Sequence, residues 1–152
     1  MSIELLQPGL LDSPYCWLIR DGNAKIGVHI HDGWCMQLDD REVFFFAQPG
    51  SCIHLEPLLD LEHELFFSFL RNSAFDNKAF SHKILDFPKL QLIRLVLNTT
   101  FSDYWPVRAL AWLTADKELI PELFADLDKF SKNKAMGQSA RQLAKRLMRW
   151  GR

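Results

Sequence analysis

Residues 15–48 read YCWLIRDGNAKIGVHIHDGWCMQLDDREVFFFAQ, and this stretch decides the fold. Tyr15–Asp21 is apolar and rich in strand formers, and Asp21-Gly22-Asn23 is hairpin-turn chemistry. Lys25–His31 then alternates, with Ile26, Val28 and Ile30 on one face and Lys25, Gly27, His29 and His31 on the other. A period of two marks a half-buried strand. Asp32-Gly33 is a second hairpin signal, after which Trp34, Met36 and Leu38 alternate with Cys35 and Gln37. Asp39-Asp40-Arg41 is a polar turn. Glu42–Gln48 reads as a fourth, central strand, because its aromatic run has little polar alternation. Pro49-Gly50 ends it. The stretch predicts a four-stranded antiparallel meander over residues 10–50, whose apolar face needs a cover.

Working outward, the rest of the chain reads as helix. Pro57 suits the first turn of a helix, and Leu58, Leu61, Leu65 and Phe69 follow at helical spacing. A helix over 57–72 is the expected cover for the sheet. Residues 74–88 read as a connection anchored by Phe75, Phe80 and Phe87. Lys89–Asn98 predicts a short, fully buried helix. Ser102 is an N-cap residue for a helix over Asp103–Ala115, with Trp105, Ala109, Trp112 and Leu113 as its core stripe. Asp116 and Pro121 open a further helix through Phe130. Gln138–Trp150 is the last, with Ala140, Leu143, Leu147 and Trp150 on its apolar stripe. The expected fold class is therefore α+β, a single domain over 1–152 that is β-rich in 10–50 and helical in 57–150, with the four-stranded meander covered by the helix over 57–72 and a C-terminal helical bundle.

The 152 residues fit one domain. Hydrophobic residues make up 48%, with twelve Phe and five Trp, which excludes global disorder and promises an aromatic core. Three cysteines, Cys16, Cys35 and Cys52, do not form a disulfide framework. They read as reduced, buried thiols in a reducing compartment. Met1–Leu11 has no basic region before an apolar stretch and carries Glu4, so it does not read as a secretory signal. No apolar run approaches the ~20 residues needed to span a bilayer. A cytoplasmic location is the expectation.

Net charge is only −1, but the charges divide along the chain. Residues 1–76 hold twelve acids and four bases; residues 77–152 hold seven acids and fourteen bases. No acid follows Asp128. Such asymmetry points to an electrostatic interaction surface, unless the halves neutralise each other. Glu56, Asp60 and Glu64 are spaced four apart and would share one face of a continuous helix, where like charges repel slightly. Together with Asp39, Asp40 and Glu42 they are the candidate surface for a basic partner; the plain alternative is a solvated helix face. Arg141, Lys145 and Arg149 repeat the spacing on the last helix, with Arg146 and Arg152 beside them. That helix is amphipathic and basic, suited to phosphates, an acidic membrane or an acidic protein. Its aromatics read as core, and no nucleic-acid motif is present, so nucleic acid is not the expected partner.

Signatures of chemistry are sparse. His29 and His31 share a strand face and could present two imidazoles to zinc, yet no further ligand stands at a recognised spacing, and two surface histidines are the plainer reading. His63-Glu64 has no second histidine at a zincin offset. The glycines form no phosphate loop, and no G-x-S-x-G elbow occurs. No catalytic residue, metal ligand or cofactor is assigned.

From Leu97 to Trp150 the chain carries SDYWPVRALAWL (102–113), a short helix, and then Asn133, Lys134, Gln138, Arg141, Ala144 and Arg146. This pattern resembles the C-terminal part of small bacterial proteins, some of which are immunity proteins of contact-dependent or other polymorphic toxin systems. The resemblance covers about a third of the chain and rests on a Trp-rich helix beside a basic one. It implies a stoichiometric protein-binding module that occludes a basic toxin, without an activity of its own. A nucleic-acid accessory protein using Arg141, Lys145, Arg146 and Arg149 is the first alternative, and an enzyme using His29 and His31 the second.

Overall fold

The computed structural model describes residues 3–99 and 101–151. The fold is α+β, with a five-stranded antiparallel sheet followed by helices. By contacts the chain divides into two compact units. One is Met1–Ser51 with Glu64–Pro88, and the other is Cys52–His63 with Lys89–Arg152.

In the first unit β1 (Ile3–Asp12), β2 (Tyr15–Asp21), β3 (Ala24–His29), β4 (Gly33–Leu38) and β5 (Phe44–Phe45) lie in chain order, each antiparallel to the next. The two expected hairpin turns are present, and Gly22 (φ 61°) and Gly33 (φ 82°) supply the left-handed backbone they require. The expected four strands become five. The sequence hid β1 because Pro8 and Gly9 interrupt it; its register with β2 shifts between Leu5 and Leu10, and an edge strand tolerates proline at such an irregularity. The expected central strand over Glu42–Gln48 shrinks to two residues on the opposite edge, paired only at Phe44 and Phe45. Its aromatic run reflects ring packing rather than a long ladder.

The face read as polar is partly buried. Gly27 lies where the β2–β3 register shifts between Trp17 and Ile19. A Cβ there would stand 2.1 Å from the Cys16 carbonyl oxygen, so only glycine fits. Tyr15 stacks on Trp17 at 5.0 Å, and the Lys25 ammonium lies over the same indole. On the other face, Trp34 meets Phe87 edge-on at 5.0 Å, and Phe87 meets Phe66 at 5.2 Å. Those rings come from α1 (His63–Asp76) and from the segment after α2 (Ser81–Leu85).

The helix expected over 57–72 is not continuous. A 3₁₀ segment covers Pro49–Asp60 with Pro57 inside it, and α1 begins only at His63. The Leu61 amide donates to the Leu58 carbonyl, closing the last turn with three-residue rather than four-residue spacing.

The second unit holds α3 (Lys89–Thr99), α4 (Tyr104–Ala115), α5 (Phe124–Ser131) and α6 (Gln138–Trp150). Helix α3 is amphipathic rather than fully buried: Leu92, Ile93, Val96 and Leu97 face inward, while Gln91, Arg94 and Asn98 are exposed. Ser102 does not occupy the cap position of α4. Asp103 does, and its carboxylate accepts the Gly137 amide at 3.3 Å instead of capping its own helix. A Cβ at Gly137 would stand 2.4 Å from that carboxylate. The helix expected from Asp116 to Phe130 is split into 3₁₀ turns at Lys117–Leu119 and Pro121–Leu123 before α5. The bounds of α6 match expectation, but its inner stripe is Ala140, Ala144, Leu147 and Met148, and Trp150 is 66% exposed. No described helix is long and apolar enough to cross a membrane.

Candidate functional site

The six candidate acids separate into three environments. Glu56 is buried, and burial pushes its carboxyl above the usual range. Asp60 accepts a hydrogen bond from Tyr104 Oη at 2.9 Å and pairs with the Arg108 guanidinium. Glu64 pairs with Arg71 at 2.6 Å and accepts from Ser68 at 3.1 Å. The stripe expected of these three does not form, because the backbone leaves 3₁₀ geometry at Asp60 and starts α1 at His63. Asp39, Asp40 and Glu42 remain exposed together at the β4–β5 turn.

That turn borders a shallow cleft of about 280 Å³ lined by Arg20, Asn23, Lys25, Asp39 and Asp40, with Gly22 and Ala24. Asp39 has φ 52°, and its backbone amide donates to Asn23 O at 2.9 Å while its carboxylate accepts from Asn23 Nδ2 at 3.0 Å. These two bonds hold the left-handed residue in place. Arg20 pairs with Glu4 at 3.6 Å, and Lys25 is drawn over Trp17. Arg41 is the base between the acids, and its carbonyl accepts from Gln37 Nε2.

On α6, Lys145, Arg146 and Arg149 are exposed, and Arg141 is half-buried with its Nε donating to the Met136 carbonyl. Arg152, read with this group, lies outside the described residues, as do Met1 and Ser2 of the stretch read against a signal. The charge division survives in altered form. The first unit carries ten acids and six bases, and the second nine acids and twelve bases. The Asp60–Arg108 pair does join the two halves of the sequence, but inside the second unit.

No family model, curated protein or solved structure matches the chain.

The histidine and cysteine chemistry is constrained by geometry. His29 Nδ1 accepts the amides of His31 and Asp32, each at 3.1 Å, so that nitrogen is occupied. His31 lies past the end of β3, in the turn, with its ring 5.9 Å from that of His29. Among the described residues no group of three or more His, Cys, Asp or Glu side chains could hold a metal ion. All three thiols are buried. Desolvation pushes Cys16 up to about 11 and Cys35 up to about 12, and raises Cys52 as well. Thiolates, the nucleophilic form, are thereby disfavoured.

Sequence reasoning missed two polar clusters in the second unit. Lys89 Nζ donates to Asp116 at 2.6 Å and stands 2.9 Å from His63 Nε2, and the His63 ring meets Trp112 edge-on. Trp112 Nε1 in turn donates to the Leu61 carbonyl at 2.9 Å. Around Asp60, the Arg108 guanidinium lies 4.0 Å from the Tyr104 ring centroid, and the bond to Asp60 is the chief cause raising the Arg108 pKa further. These partners lie 26 to 51 residues apart in the chain. The only local signal was the i,i+4 spacing of Tyr104 and Arg108.

Proposed function

We propose that this chain is a stoichiometric protein-binding module, an immunity-type protein that occludes a cognate basic toxin domain in the bacterial cytoplasm. The observation that carries this reading is the exposed acidic turn Asp39, Asp40 and Glu42 on a unit whose acids outnumber its bases ten to six. Three exposed carboxylates outnumber the one base within the turn, Arg41, and Arg20 beside it is paired with Glu4, so the turn presents surplus negative potential. Such a field raises encounter rates with a basic surface and imitates that of a nucleic-acid substrate. Asp60, Glu64 and Glu56 play a smaller part in the reading, being paired or buried. The resemblance of residues 97–150 to small bacterial proteins, some of which are immunity proteins, supports the same class.

The test is to co-express the chain with candidate toxin domains, score rescue of growth, and measure association rates for a captured partner. Asp40→Lys with Glu42→Lys should slow association by about tenfold at low salt and by less at high salt. Rates that do not change at either salt concentration would remove the steering role of this turn.

A further inference from the structure

The placement of Trp150 on α6 differs from the one its sequence spacing predicts. On a helix, residues four apart are neighbours, about 5–6 Å between Cβ atoms. Lys145 therefore sits beside Arg149, and Arg146 beside Trp150, on the side of α6 opposite its buried stripe. Read from sequence, Trp150 belonged to the core and the basic row had no aromatic partner. In the structure the indole is 66% exposed, with the Lys117 ammonium 3.7 Å from its centroid. One ring face is held by a cation, and the exposed remainder of the indole stands at the end of a row of three more.

We propose that this face binds single-stranded nucleic acid, with Lys145, Arg146 and Arg149 holding phosphates and Trp150 stacking an unpaired base. Charge complementarity argues for a polyanion: no acid follows Asp128, and Asp128 itself pairs with Lys132 at 3.0 Å. Glu118, next to Lys117 in sequence, is the acid that must be tolerated at the edge. A membrane fits less well. Interfacial helices bury their apolar face in lipid, whereas Ala140, Ala144, Leu147 and Met148 are already buried in this protein. A duplex fits less well too, because its bases are stacked on one another and offer the indole no open π-face. A basic groove with an aromatic platform is the general arrangement for single strands.

Binding of fluorescein-labelled oligo-deoxythymidine and oligo-uridine of about ten nucleotides, followed by anisotropy across a salt series, tests this on the full chain. The expected affinity at low salt is on the order of micromolar, with a log–log salt slope of about −2 for three phosphates. Trp150→Ala should weaken binding by about tenfold and Trp150→Phe by much less. Arg146→Ala with Arg149→Ala should reduce the slope to about −0.7. The exposed positions keep these variants folded, which circular dichroism verifies. Three comparison probes are a matched duplex, polyglutamate, and phosphatidylcholine–phosphatidylserine vesicles. The proposal is overturned by no oligonucleotide binding at low salt, by equal affinity in Trp150→Ala, or by any comparison probe binding as tightly as the single strand.

Discussion

Each unit buries an apolar core of its own, but the contacts added to that core differ between the two. In the first, ring meets ring: Tyr15 on Trp17, Trp34 on Phe87, Phe87 on Phe66. Its ion pairs are superficial, with the Arg71 and Glu64 side chains 55% and 67% exposed. In the second, part-buried charges tie segments distant in the chain, as Lys89 and Asp116 do at 16% and 24% exposure. Aromatic packing has no ionisable group to titrate, whereas a part-buried polar network is sensitive to pH and to screening and is costly to leave half-paired. The lesson is that the charged residues, sixteen in the first unit and twenty-one in the second, mean different things in the two places. In the first unit they are available to a partner; in the second many are already employed in the fold.

The comparison can be broken by substitution. The largest effect should come from Trp34→Ala, which removes a ring from the sheet's packed face and should cost about 3–5 kcal/mol. Hydrogen exchange should show the loss of protection in β3 and β4; an unchanged stability would mean that the aromatic layer is not what holds this unit. Next comes Lys89→Met, which leaves Asp116 and His63 facing an apolar stem. A cost of about 1–3 kcal/mol by urea unfolding is expected, and a neutral outcome would erase the contrast between the units.

Glu56→Gln should have a smaller effect of opposite sign. Burial places the folded-state pKa of Glu56 above the ordinary value of 4.5, so the folded state holds its proton longer. The parent's stability therefore falls as pH rises from that value through the folded-state pKa, and the Gln variant lacks the fall. Melting temperature should rise at neutral pH and not at all in acid. Arg71→Ala should be the smallest, within about 0.5 kcal/mol, because an exposed pair contributes little. A loss larger than that of Lys89→Met would invert the comparison.

Much of the sheet was legible in the sequence because hairpins are local. Gly22 and Gly33 sit at positive φ where the turn chemistry placed them, and β2, β3 and β4 follow from those turns and the alternation between them. What failed was decided by contacts distant in the chain. Pro8 concealed β1, since nothing local shows that a neighbouring strand will accommodate an irregularity. Pro57 looked like the opening of an α-helix and instead sits inside a 3₁₀ segment. For the candidate site, the charges were visible but their engagement was not: Asp60 is occupied by Arg108, 48 residues on. The inner stripe of α6 was misjudged by about one position, as small Ala144 and flexible Met148 face inward where Leu143 and Trp150 were expected. That rotation is what brings an indole to the surface beside Arg146.

The meeting of Asp103 with Gly137 has an evolutionary corollary. The carboxylate fills the space in which any other residue at 137 would place its first side-chain carbon. A lineage that replaces the glycine must first surrender the aspartate, or shift it aside and lose the bond to the backbone. The constraint runs one way: Gly137 can change only where Asp103 moves, whereas Asp103 can change with Gly137 kept.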